Sequence, residues 1–149
     1  MNWQNALKDF KHYLKIERGL SKNSIVSYEY DLKKLMGFLE NNQILQSPIS
    51  ISHCTIQDFI YEVSKSHNAR SQSRIISGLR SFFGYLVFED YRKTNPLDLI
   101  ESPKTGRKLP DNLNIKDIDN LIEAIDLSKP EGERNRAILE TLYSCGLRV

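Results

Sequence analysis

Between Ser64 and Phe88 the chain carries four bases, Lys65, Arg70, Arg74 and Arg80, together with six serines and no acidic residue. At 100° per residue on an α-helix, Arg70, Arg74, Ser77 and Ser81 fall in one narrow stripe opposite Leu79, with Ser73 and Arg80 on its flank. Guanidinium and hydroxyl donors on one side of a helix, backed by an apolar face, suit the oxygens of a phosphodiester backbone. The competing explanation is a solvated face. Such faces usually mix both signs, because opposite charges three or four residues apart support the helix, so the missing acids favour an anion-binding surface.

Two smaller groups point the same way with less force. Ser21, Lys22, Asn23 and Ser24, with Ser27 one turn on, place short donors at the start of a helix, where backbone N–H groups and the dipole attract a phosphate. The same residues also fit a plain N-cap followed by solvated positions. Lys104, Arg107 and Lys108 lie in a stretch of connecting composition, where they either track a phosphate backbone or keep the segment soluble.

Other chemistries find little support. His12, His53 and His67 have neither the i,i+4 spacing of a metal site nor a neighbouring carboxylate pair, so no metal or catalytic role is assigned to them. Cys54 and Cys145 are far apart, outside any CxxC pattern, and are expected to be core or partly buried thiols. Tyr28, Tyr85 and Tyr143 lie on or beside apolar faces and are expected to pack rather than to act as nucleophiles. No apolar run approaches the roughly 20 residues needed to cross a bilayer, and charges interrupt the start of the chain where a signal peptide would be uniformly apolar. A cytoplasmic protein without membrane or small-molecule partners is expected. The net charge of +2 conceals an asymmetry: residues 1–110 hold 16 Lys and Arg against 11 Asp and Glu, whereas residues 111–149 hold 5 against 8. The basic excess belongs to the front of the chain.

The elements that must position these groups are helical, and no period-2 strand pattern emerges. Trp3, Leu7, Phe10 and Leu14 form one stripe of a first helix ending near Gly19. Ser21 caps a second, with Ile25, Tyr28, Leu32, Leu35, Met36 and Leu39 on one face. A short third helix is predicted from Thr55, where Thr-Ile-Gln-Asp fits a capping box. The fourth runs from about Ala69 to Glu89. Residues 101–113 have linker composition, with two prolines, a glycine and three bases. Two more helices follow, one opened by Asn114 and Asp117, one after Lys129-Pro130 and ending around Cys145-Gly146. They offer too few core positions to make a stable domain by themselves.

In order along the chain, F-K-H-Y-L at 10–14, L-S-K-N-S-I-V-S-Y-E-Y-D-L at 20–32, R-S-Q-S-R-I-I-S-G-L-R-S-F-F-G-Y-L at 70–86, N-P at 95–96, P-K at 103–104, L-P at 109–110 and L-Y-S-C-G-L-R-V at 142–149 resemble the tyrosine recombinase, or phage integrase, family in its Xer-like branch. The resemblance implies an all-α architecture: a four-helix, SAM-like core-binding domain over residues 1–100, a basic linker over 101–113, and the first two helices of a catalytic domain over 114–149. It implies a clamp around double-stranded DNA and self-association on DNA, a tetramer in the family, that needs the rest of the catalytic domain. In such enzymes a tyrosine attacks the scissile phosphate to leave a 3′-phosphotyrosyl link, without metal or nucleotide cofactor. Arg148 matches the family's first catalytic arginine, whose planar guanidinium can hold two phosphate oxygens while negative charge develops.

The family's catalytic lysine, His-x-x-Arg pair, second His or Trp and nucleophilic tyrosine are expected beyond Val149. The residues present are therefore expected to bind DNA without cleaving it. Charge reversal at Arg70 and Arg74 is expected to weaken that binding without unfolding the helix. A small helical DNA-binding regulator and a helical protein-interaction module stay open as alternatives; the second predicts binding that is insensitive to salt.

Overall fold

The computed structural model describes residues 1–104, 106 and 112–147, so Arg107, Lys108 and Arg148 lie outside the described residues. Regular structure among the described residues is entirely helical. The chain divides into two compact units, Met1–Gly106 and Arg107–Val149.

The first unit contains α1 (Trp3–Ile16), α2 (Lys22–Asn41), α3 (His53–Ser66) and α4 (Ala69–Phe88). Each begins where a short polar side chain satisfies an orphan backbone donor: Asn2 accepts from the Asn5 amide, Ser21 from Ser24, Ser52 from Thr55 and Asn68 from Ser71. The third helix thus starts two residues earlier than the Thr55 pattern predicts. Thr55 is a buried residue of its first turn; its hydroxyl and the Ser52 amide both donate to the Gln46 side-chain oxygen, at 2.9 and 3.2 Å. That side chain from the preceding connection fixes Ser52 as the cap.

α2 packs against both α1 and α4, and α3 closes on α4. The centre is aromatic. Phe10 of α1 meets Phe82 of α4 edge-on with ring centroids 5.3 Å apart, and Phe82 meets Phe83 at 5.1 Å, all three fully buried. Edge-to-face rings of this kind contribute beyond the area they bury. Leu14, Leu32, Leu35, Ile56, Ile75, Leu79 and Leu86 complete the core. Tyr85 belongs to it too, and burial, reinforced by Glu89, pushes its hydroxyl up to about 12, so the phenol stays protonated and packs.

Beyond α4 the chain turns back through Arg92, a residue that carries no signal in the sequence. Its Nε donates to the Thr94 carbonyl at 3.2 Å, Nη1 to Pro48 at 2.8 Å and Nη2 to Ile51 at 3.1 Å, while the guanidinium lies over the Phe83 ring at 5.3 Å. Burial lowers its pKa from the ordinary arginine value. One side chain therefore ties the connection before α3 to the segment after α4. Arg92→Ala is expected to lower stability by about 2 kcal/mol in urea denaturation, because several charge-assisted hydrogen bonds are lost at once. Arg92→Lys is expected to recover little, since a single ammonium cannot address three carbonyls in a fixed fork.

The second unit holds α5 (Ile115–Glu123) and α6 (Pro130–Cys145). Asn114 and Asp117 form a reciprocal capping box on α5, and Pro130 opens α6, which stops at Gly146 in the left-handed region at φ 59°. No apolar side chain of these two helices is buried. Leu121, Ile138, Leu139 and Tyr143 are between 39 and 52 % exposed, so two helices alone do not enclose a core here. Both cysteines are exposed, contrary to the expectation of core thiols: Cys54 lies on the solvent side of the first turn of α3, and Cys145 ends α6. Among the described residues no helix is long and apolar enough to cross a membrane.

Candidate nucleic-acid interface

The polar stripe of α4 faces out beside α2, and its arginines have three different surroundings. Arg70, in the first turn, is exposed and has no ion-pair partner among the described residues. Arg74, one turn on, is held by Asp31 of α2: Nη1 donates to Oδ2 at 2.9 Å and Nη2 to Oδ1 at 2.7 Å. Arg80 turns to the flank, where Nη2 donates to the Ile100 carbonyl at 2.7 Å. Ser73 turns the same way and donates to the Pro103 carbonyl at 3.3 Å. These two flank residues clamp the stretch 100–103 along α4, while Ser77 stays exposed and Ser81 is half-buried.

The Asp31–Arg74 pair is asymmetric. The Asp31 side chain is 2 % exposed and that of Arg74 is 48 % exposed. Burial pushes the Asp31 carboxyl up, and the attraction and hydrogen bonds of Arg74, with a smaller contribution from Lys34, pull it down without cancelling the effect. Seating a carboxylate there requires α4 to lack a side chain at Gly78. A Cβ at that position would lie 2.5 Å from Asp31 Oδ2. Asp31 takes one N–H from each terminal nitrogen of the guanidinium, so Arg74 keeps three of its five donors for another acceptor while its orientation is fixed. The result is a shallow groove between α2 and α4, floored by Asp31 and Gly78 and edged by Ser24, Ser27, Arg74 and Ser77.

At the start of α2 the serines are engaged locally. Ser21 caps the helix and shares a hydrogen bond with Ser24 at 3.0 Å, and Ser27 donates to the Asn23 carbonyl at 3.0 Å. Lys22 and Asn23 are exposed and project from that first turn, as does Lys104 beyond the clamped stretch. Lys34, which the sequence reading passed over, donates to His67 Nε2 at 2.7 Å; that nitrogen therefore accepts, and the other ring nitrogen carries the proton toward Ser66, 2.8 Å away. Among the described residues no three His, Cys, Asp or Glu side chains gather to hold a metal ion.

Sequence reading missed Asp31 and Gly78. A signal existed: an acid at 31 amid the apolar stripe Tyr28, Leu32 and Leu35, and a glycine inside an otherwise strong helix. The pairing of Asp31 with Arg74, across 43 residues, did not show. It also alters the charge-reversal experiment. A glutamate at 74 would face a buried carboxylate and perturb folding, whereas Arg70 is free to be changed by itself.

Residues 7–90 match the family described as phage integrase, N-terminal SAM-like domain. The chain is 38 % identical over 146 residues to the tyrosine recombinase XerD of Listeria monocytogenes serotype 4b, covering 97 % of this chain and 49 % of that protein. It is 37 % identical over 147 residues to the tyrosine recombinase XerD of Staphylococcus haemolyticus, covering 98 % and 50 %. The Staphylococcus aureus XerD is 35 % identical over 147 residues. The chain thus spans about half the length of these relatives. The family match over more than half of the chain, the helical architecture and the near-full-length similarity to XerD recombinases together place this chain in the phage integrase (tyrosine recombinase) family.

Proposed function

We propose that the α2–α4 face binds double-stranded DNA, as the recognition part of a site-specific recombinase that exchanges strands through a 3′-phosphotyrosyl intermediate. The observation that carries this is the acid-free outer face of α4, where Arg70 is unpaired among the described residues and the half-exposed Arg74 is held by Asp31 through only two of its N–H groups. Phosphate oxygens need cations and short donors at fixed positions; Ser77 adds a donor on the α4 stripe, and Asn23 and Lys22 add exposed polar groups at the start of α2. Asp31 neutralises much of the Arg74 charge, so Arg70 supplies the main electrostatic attraction and Arg74 the geometry. Lys104, Arg107 and Lys108 extend the contact along the backbone, and Arg148 binds the scissile phosphate in the whole recombinase. Self-association on DNA and strand exchange belong to that whole protein.

The test is duplex affinity as a function of salt. Wild-type affinity is expected to fall steeply between low and physiological salt, because each phosphate contact releases counterions. Arg70→Ala is expected to reduce the log–log slope by about 0.9, the share of one contact. Arg70→Glu is expected to weaken binding about tenfold at 0.1 M salt, near 1.4 kcal/mol. Binding that ignores salt, or an Arg70→Glu protein with wild-type affinity, would refute the assignment and favour a protein-interaction module.

A further inference from the structure

A second basic surface lies across α2 from the α4 stripe. Lys8, Lys11, His12 and Lys15 occupy one side of α1 and face Glu29 and Lys33 of α2 across an open groove of about 490 Å³. Residues two apart on a helix point about 160° away from each other, so Glu29 and Lys33 leave α2 on the flank opposite Asp31 and Ser27. Glu29 binds Lys11 at 2.6 Å and Lys33 at 2.9 Å, and these two lysines hold its carboxyl below the usual carboxylate range. Lys8 and Lys15 are exposed and have no ion-pair partner among the described residues. Four lysines against one glutamate leave the groove at +3 with His12 neutral.

We propose that this α1–α2 groove is a second phosphodiester-binding site, which holds the DNA backbone on the far flank of α2 when a duplex covers the α4 stripe. The inference rests on the DNA-binding reading of the α4 face. Three features select a nucleic-acid backbone over an acidic protein segment. The apolar floor, Leu7 and Ile25, is already 6 and 9 % exposed, so it offers no anchor for the apolar face of a helical partner. The free cations are lysines, flexible point charges that suit a repeating anion. Lys8 and Lys15 are seven residues apart on α1, about 10 Å along the axis, a span that reaches more than one phosphate of a strand.

The experiment compares wild type, Lys8→Gln/Lys15→Gln, Arg70→Ala and the triple variant by titration with a labelled duplex of about 30 base pairs at several salt concentrations. The lysine pair is expected to weaken binding about tenfold at low salt and to reduce the log–log slope by about 1.8, two contacts' worth, with helical content unchanged. Its effect is expected to add to that of Arg70→Ala. Wild-type affinity and slope for the lysine variant, while Arg70→Ala still weakens binding, would overturn the groove and leave the α4 interface standing. The reverse pattern would sink the α4 face and overturn the proposal with it, because the groove is placed by a duplex lying on that face, and no effect from either would sink both. Competition by polyglutamate as effective as that by unlabelled duplex would overturn the proposal in favour of an acidic protein partner.

Discussion

Arg74→Ala is expected to destabilise the first unit by about 3 kcal/mol at neutral pH, and the deficit is expected to shrink as the solution is acidified. Removing one partner of a buried ion pair typically costs 3–5 kcal/mol, because the other charge stays buried and uncompensated. The low end applies here, since the arginine half of the pair is 48 % exposed while the aspartate half is 2 % exposed. The pH dependence follows from the direction of the Asp31 shift. Burial already raises that carboxyl above its ordinary value of 3.8, and Arg74 supplies most of the opposing pull. Without Arg74 the carboxyl rises further, so the folded state holds the proton more tightly than the unfolded chain does. Above the folded pKa the buried carboxylate is ionised and its cost is fully present. As the pH falls below that value the group protonates in the folded state, and the cost shrinks until it is gone below the pKa of the same carboxyl in the unfolded chain. Urea denaturation of variant and wild type between pH 8 and pH 4 reads the difference directly; a deficit of the same size at every pH would show that Asp31 is not the source. Arg74→Lys is expected to recover only part of the loss, because an ammonium cannot make both hydrogen bonds in the plane of the carboxylate.

The helices themselves were legible because their signals are local. Ser21, the Asn114–Asp117 box, Pro130 and Gly146 each act on backbone groups within a few residues, and the apolar stripes of α1, α2 and α4 are the faces that the structure buries. The start of α3 was misplaced because two serine or threonine patterns compete there, and the choice is made by Gln46, outside the window that such patterns examine. The cysteines were misjudged from the general preference of free thiols for the interior. A position in the first turn of α3 and another at the end of α6 left both on the surface.

The candidate interface was legible only as a helical stripe. Angles along α4 place Arg70, Arg74 and Ser77 together on its outer side, and the structure leaves all three exposed. Whether each arginine is a free cation depends on groups far away in sequence: Asp31 for Arg74, and the Ile100 carbonyl for Arg80. A count of bases without acids in one segment therefore overstates the charge that the face presents. The compensating acid sits on another helix, and its place there depends on a glycine that periodicity reads only as a weak point.

That glycine gives the second large effect. Gly78→Ala is expected to cost about 2–3 kcal/mol, although alanine at a helix interior ordinarily gains roughly 0.5–1 kcal/mol over glycine. The added Cβ would stand 2.5 Å from Asp31 Oδ2 and 3.3 Å from its Cγ, so either the carboxylate leaves Arg74 or α2 and α4 move apart. Overpacking at such a contact typically costs 1–3 kcal/mol, and loss of the ion-pair geometry adds to it. The Asp31 Cβ itself lies 3.4 Å from the same point, an ordinary van der Waals distance, so shortening residue 31 to alanine removes the clash without opening a gap between the helices. Asp31→Ala alone releases Arg74 to water, which it already half reaches, and is expected to be tolerated better than the loss of Arg74. In the Asp31→Ala background Gly78→Ala is then expected to become neutral or mildly stabilising, a coupling of 2 kcal/mol or more in a double-mutant cycle. Equal costs in both backgrounds would mean that something other than the seated carboxylate excludes a side chain at 78. A reversal of sign would show that this glycine serves to seat an acid beneath Arg74, where the carboxylate fixes the orientation of the guanidinium.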